Sequence, residues 1–189
     1  LHPRVRRQRQ MCIRDSLETI TNMGESMVVN MAYHANDPGP GMAFHKDTST
    51  FKMFVGDTGL FVTLAFWDKE FTDNVIYQKL LTDKLSKDLG YVYENVVAQM
   101  LVASGNELYY HTFPTESGKH RYEVDFLIPD GDKVVPIEVK SSGYKAHVSL
   151  DAFCTKFSSR VSRPYLIYTK DLRKEGNLLY LPVYMTMFL

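Results

Sequence analysis

At 189 residues the chain suits one ordinary domain with a sizeable core, or one domain plus part of another. Its 44 % hydrophobic and 23 % charged residues are normal for a globular protein, and no stretch approaches the ~18 apolar residues of a membrane span, so a membrane partner is not expected. Formal charge balances at 22 basic and 22 acidic residues, no apolar run follows the Arg-rich start, and Cys12 and Cys154 lack CxxC spacing; neither a secretory signal nor a disulfide scaffold is expected, and a reducing, cytoplasmic setting is.

Residues 1–16, LHPRVRRQRQMCIRDS, hold five arginines and almost no core-forming pattern. The hexapeptide MCIRDS resembles the translation of a transposon-end sequencing adaptor, which makes 1–16 an expected artefact, disordered, in front of a chain truncated upstream. A natural basic arm that binds nucleic acid is the other reading. Setting aside Arg4, Arg6, Arg7, Arg9, Arg14 and Asp15 leaves 17 basic against 21 acidic residues, a net of −4. Duplex binding is driven by phosphate neutralisation, so this deficit argues against strong autonomous DNA binding.

From Leu17 to Tyr33 the pattern predicts a short helix and then a strand, MVVNMAY. The turn-rich 36–42, NDPGPGM, breaks the chain. Residues 51–55 predict a short strand, and Asp57 is placed to cap a helix running through Gly59, Leu60, Phe61, Leu64 and Trp67. Residues 68–83 are polar and mixed, a linker or small helix; the segment 17–83 is read as a remnant of an ATPase-side unit, and 84–189 as the main domain.

From Leu89 to Ala103 apolar residues recur at helical spacing, with Val92, Val96, Val97, Met100 and Leu101 forming the stripe. Residues 107–113, 122–128 and 133–140 predict three strands, the last two joined across Pro129-Asp130-Gly131-Asp132 as an antiparallel hairpin. Residues 146–160 predict a second helix and 164–169 a fourth strand. This order gives an α/β fold, a mixed central sheet flanked by helices.

Strand alternation sets Val124, Phe126 and Ile128 on one face and Glu123 with Asp125 on the other. In the next strand Val135, Ile137 and Val139 oppose Glu138 and Lys140. Asp125, Glu138 and Lys140 are therefore brought together on adjacent strands, a set able to hold a hard divalent cation and a water. Glu94 stands at the edge of the helical stripe, with Val97 and Leu101 at i+3 and i+7, where it can aim a third carboxylate back across the sheet. The plainer alternative is the charged-out alternation of any half-exposed hairpin. His34, His45, His111, His120 and His147 have no metal-ligand spacing. Lys119-His120-Arg121 reads either as a phosphate contact or as a solvated loop.

Glu94, the block Glu123-Val124-Asp125-Phe126 and the block Pro136-Ile137-Glu138-Val139-Lys140 together resemble the Glu…Asp…(Glu)-x-Lys core of the PD-(D/E)xK, restriction-endonuclease-like superfamily. More closely, with Lys52…Asp57-x-Gly59-Leu60 and Gly90-x-x-Tyr93-Glu94-Asn95, the chain resembles the C-terminal domain of unknown function of prokaryotic AAA-type ATPases, over about residues 27–169. The resemblance implies a nuclease-like domain with Asp125 and Glu138 as ligands of Mg²⁺ or Mn²⁺. Lys140 would position the attacking water, and Glu94 would be an outer ligand or base partner. The implied partners are nucleic acid and the chain's own upstream ATPase domain. The Pro-Asp dipeptide is absent, Val124 preceding Asp125, and no G-x-x-x-x-G-K-[ST] phosphate loop occurs, so ATP is expected only in an upstream domain. A non-catalytic module that regulates the ATPase or binds a partner is the competing expectation.

Overall fold

The computed structural model describes residues 18–65 and 90–189. The adaptor reading of 1–16, Trp67 and the linker assigned to 68–83 lie outside the described residues. Eight strands form one mixed sheet: β1 (Val29–Ala35), β2 (Lys46–Val55), β3 (Leu108–Pro114), β4 (Arg121–Asp130), β5 (Lys133–Val139), β6 (Tyr165–Tyr168), β7 (Arg173–Glu175) and β8 (Leu178–Pro182). Residues 18–25 are helical ahead of β1, and the helices that follow include α1 (Thr58–Ala65), α2 (Gly90–Ala103) and α3 (Val148–Lys156). The spatial order is β2-β1-β3-β4-β5-β6-β8-β7. Pairings β1–β3, β5–β6 and β6–β8 are parallel, and β1–β2, β3–β4, β4–β5 and β7–β8 antiparallel. The sheet thus takes two strands from the segment before residue 84 and six from the segment after it. No helix among the described residues is long and apolar enough to cross a membrane.

Both faces of the sheet are covered. Val97, Ala98 and Leu101 of α2 pack on Phe54, Tyr110, Phe126, Ile137 and Val139. Phe153 of α3 packs with Tyr109, Phe113, Val124, Leu127 and Val134 on the other side. Burial on two faces explains why β5, VVPIEV, reads as a nearly continuous apolar run rather than a strict alternation. The buried stripe of α2 is Val92, Asn95, Val97, Ala98 and Leu101. The predicted Val96 and Met100 are only half-buried, because a polar residue, Asn95, occupies the face that meets β2.

Asp57 caps α1 as expected, its Oδ1 accepting the Leu60 N–H at 2.7 Å. The hairpin between β4 and β5 closes through Gly131 and Asp132, with Asp130 facing Lys133. Gly131 takes φ 61°, a left-handed conformation that costs glycine little. Strands β7 and β8, followed by the 3-10 turns Val183–Phe188, extend the sheet beyond the last predicted strand. Sequence reading missed β8 because Leu178-Leu-Tyr-Leu-Pro182 is short and ends in proline.

One expectation is corrected. Val124 and Phe126 do not share a face: Val124 belongs to the cluster under α3 and Phe126 to the cluster under α2. Between Tyr109 and His111 on β3, β4 runs from Leu127 back to Val124, so β4 carries one extra residue. This bulge, at Asp125-Phe126, breaks the period of two and re-aims the carboxylate.

Candidate functional site

The bulge of β4 puts Asp125 beside β5. Its Oδ2 accepts the Val139 N–H at 2.8 Å, so a side chain stands in for a ladder bond where β4 has left its register. β5 is a central strand, between β4 and β6, and ends at Val139; the Lys140 N–H still donates to Ile167 O at 2.8 Å, which fixes the residue at the strand's rim. Glu138 and Lys140, two apart on β5, meet through Oε1 and Nζ at 2.6 Å. The first turn of α2 abuts the residue after Lys140, since a Cβ on Gly90 would lie 3.9 Å from Ser141 Oγ. One turn further along α2, Glu94 is half-buried.

Burial governs the electrostatics. Glu138 is 5 % exposed, and its Oε2 is buried with no hydrogen-bond partner among the described residues. Burial, then the charges of Glu138 and Glu94, push the Asp125 carboxyl well above the usual carboxylate range; the Val139 N–H and Lys52 pull the other way and lose. Burial also raises the Glu138 carboxyl, against the hydrogen bond and charge of Lys140. Burial pulls the Lys140 ammonium down, but the hydrogen bond and charge of Glu138, with Asp125 and Glu94 behind it, more than offset this and leave it above its ordinary value. The structure therefore brings Asp125, Glu138 and Lys140 together, with Glu94 close enough for its charge to act on both carboxyls.

Two further side chains belong to this cluster, Lys52 and Glu123; the sequence marks both as members of the family-like blocks but gives neither a role at the site. Lys52 of β2 reaches Glu123 of β4, Nζ to Oε1 2.5 Å, with its ammonium 5.0 Å from the centroid of the Tyr110 ring. Phe54, two residues along β2, packs against Phe126 at 5.3 Å between centroids. In sequence Lys52 stands in the block Lys52…Asp57-x-Gly59-Leu60, and nothing in that block names Glu123 as its partner.

The blocks Gly56-Asp57-Thr58 and Tyr93-Glu94-Asn95 are joined through Asn95, 2 % exposed. Asn95 accepts the Val55 N–H at 2.8 Å, and its amide donates to Val55 O and Thr58 Oγ1, both at 2.9 Å. Gln99 Oε1 takes the Thr58 hydroxyl at 2.7 Å and the Thr58 N–H at 3.0 Å. These bonds hold β2, and with it Lys52, to the helix that carries Glu94.

A divalent cation can be weighed against these donors. Among the described residues no group of three or more His, Cys, Asp and Glu side chains forms a ready metal cage. Two carboxylates do fit Mg²⁺ or Mn²⁺, because a small hard cation keeps several waters and needs only one or two protein carboxylates. The partnerless Glu138 Oε2 and the charge repulsion that raises Asp125 are both relieved by a cation between them.

The family model described as Domain of unknown function (DUF4143) matches residues 89–185, a span that runs from α2 to the C-terminal 3-10 turns and contains every predicted site residue. No curated protein and no solved structure matches the chain.

Proposed function

We propose, of a chain that belongs to the family of the domain of unknown function DUF4143, that it is a nuclease-like domain of the restriction-endonuclease-like class, hydrolysing phosphodiester bonds of nucleic acid with Mg²⁺ or Mn²⁺. The observation that carries this reading is the Asp125–Glu138–Lys140 cluster at the rim of β5, half-buried at Asp125 and Lys140 and buried at Glu138, with an orphaned carboxylate oxygen inside it. Surplus negative charge in a buried site is costly unless a cation or a proton joins it, and such arrangements mark functional sites.

In this reading Asp125 and Glu138 hold the metal, which supplies Lewis-acid polarisation of a phosphoryl oxygen and a lowered pKa for bound water. Asp125 is kept in place by Val139 N–H, so its remaining oxygen is the free donor. Lys140 stays protonated, so it acts by orienting water and steadying developing charge rather than by taking a proton. Glu94 is the outer carboxylate on the helix side, an outer ligand or proton acceptor. The domain serves as the C-terminal module of a prokaryotic AAA-type ATP-binding protein, with ATP bound by the ATPase half.

Asp125→Asn and Lys140→Ala should each abolish Mg²⁺- or Mn²⁺-dependent cleavage of nucleic acid. Cleavage that survives in both removes the assignment. The net of −4 outside residues 1–16 favours a second reading, a non-catalytic module that regulates the ATPase. In that case a well-folded wild type binds neither metal nor nucleic acid.

A further inference from the structure

Lys52 stands outside the family-matched span, on a strand near the opposite edge of the sheet from β8, yet its ammonium lies in the acidic cluster. Its surroundings are those of a cation held in reserve. The side chain is 23 % exposed, its ammonium lies over the Tyr110 ring, and its ionic partner among the described residues, Glu123, is 44 % exposed. An exposed carboxylate on a flexible stem gains little from the pair and can leave it. Lys140, by contrast, is engaged with the buried Glu138.

Resting on the nuclease reading above, we propose that Lys52 is the phosphate-binding residue of this site: Glu123 holds its ammonium in the free protein, and a backbone phosphate of the nucleic acid takes the place of the Glu123 carboxylate. The exchange swaps one charge-assisted hydrogen bond for another, so it costs little, and Tyr110 keeps the lysine stem aimed throughout. It also accounts for recognition by a chain with no basic surplus, because the cation is local and pre-positioned rather than spread over a surface. The site is then composite: β2 supplies the substrate-binding cation and the family-matched segment supplies the carboxylates and Lys140.

The test measures binding of fluorescein-labelled DNA and RNA hairpins to the full chain by anisotropy without divalent metal, and cleavage with Mn²⁺. Lys52→Met should weaken binding several-fold for every sequence and reduce the slope of log affinity against log salt by about 0.7–0.9, the loss of one phosphate contact. It should raise KM more than it lowers kcat, whereas Lys140→Ala lowers kcat. Lys52→Arg should retain binding, which separates loss of charge from loss of fold, and thermal melts of both variants check folding directly. Glu123→Gln should tighten binding in the wild-type background and do so less in Lys52→Met, a coupling that general electrostatics does not give. Unchanged affinity, salt slope and KM in a folded Lys52→Met, with wild type still cleaving, overturns the role of Lys52 alone. Absence of both binding and cleavage in wild type overturns the nuclease reading and the Lys52 role with it.

Discussion

Asp125 is tied through Oδ2 to the Val139 N–H, so the first carboxylate of the site is held by the strand that presents Glu138 and Lys140. The bond exists because β4 bulges at Asp125-Phe126 and leaves that N–H without a ladder partner. A ladder defect and the position of a carboxylate are here one feature.

The first prediction concerns the cost of that position. A carboxyl whose folded pKa is raised above its unfolded value stabilises the fold relatively below the unfolded pKa, and that contribution is lost as pH rises through the folded pKa. At neutral pH Asp125 is therefore a burden. Asp125→Asn keeps an oxygen to accept the Val139 N–H and removes the charge, so it should raise Tm, by roughly 2–4 °C for each kcal/mol gained. The same variant should be inactive. A thermal melt at neutral pH checks this; a lowered Tm contradicts it.

Asn95 should behave in the opposite way. Asn95→Ala removes the side-chain partner of the Val55 N–H and O in a half-buried place and leaves the Thr58 hydroxyl with Gln99 alone, at a cost of about 1–3 kcal/mol. Urea unfolding should show a lower midpoint. Because the clamp also positions β2, binding that depends on Lys52 should weaken alongside.

Gly56 is the residue that lets β2 leave the sheet. Its N–H donates to Val28 O at 2.8 Å, and a Cβ there would collide with the carbonyl oxygen of Met27. Gly56→Ala should destabilise by about 1–3 kcal/mol, as overpacking against backbone does, with reduced thermal cooperativity as the readout.

His111 adds a pH dependence of stability opposite in sign to that of Asp125. It is 5 % exposed, its Nδ1–H donates to Ala35 O at 2.7 Å, and it stacks on Phe113 and His34. Burial lowers its pKa, opposed by the Ala35 bond and helped by the charges of His34, Lys156 and Arg121. Above about pH 6.5 the imidazole is neutral in both states and contributes no pH dependence. As pH falls below that value the unfolded chain takes up a proton that the folded chain refuses, so stability drops. The raised carboxyls of Asp125 and Glu138 act with the opposite sign, so the readout is the difference in unfolding free energy between wild type and His111→Phe, which should shift against wild type as pH falls through this window.

Much of the fold was legible because its elements obey local rules. Asp57 at the start of α1, the Gly131 turn and the apolar run of β5 each carry their own signal, and the sheet flanked by helices follows from their order. The pairing of Glu138 with Lys140 was legible too, since residues two apart on a strand share a face. What was not legible depends on contacts distant in sequence. The β4 bulge looks like ordinary alternation until β3 is laid beside it, and so Val124 was assigned to the wrong face. Lys52 lies 71 residues from Glu123, and no local pattern links them. Asn95 interrupts the helical stripe of α2 because its partner is the backbone of β2, which leaves no side-chain signature.

The most direct measurement is isothermal titration of Mg²⁺ or Mn²⁺ into the full chain, wild type beside Asp125→Asn/Glu138→Gln. Wild type should bind and the double variant should not, with both folded by thermal melt. A folded wild type that binds neither ion, or a double variant that binds as well as wild type, contradicts the metal-dependent site and leaves the regulatory module as the reading to pursue.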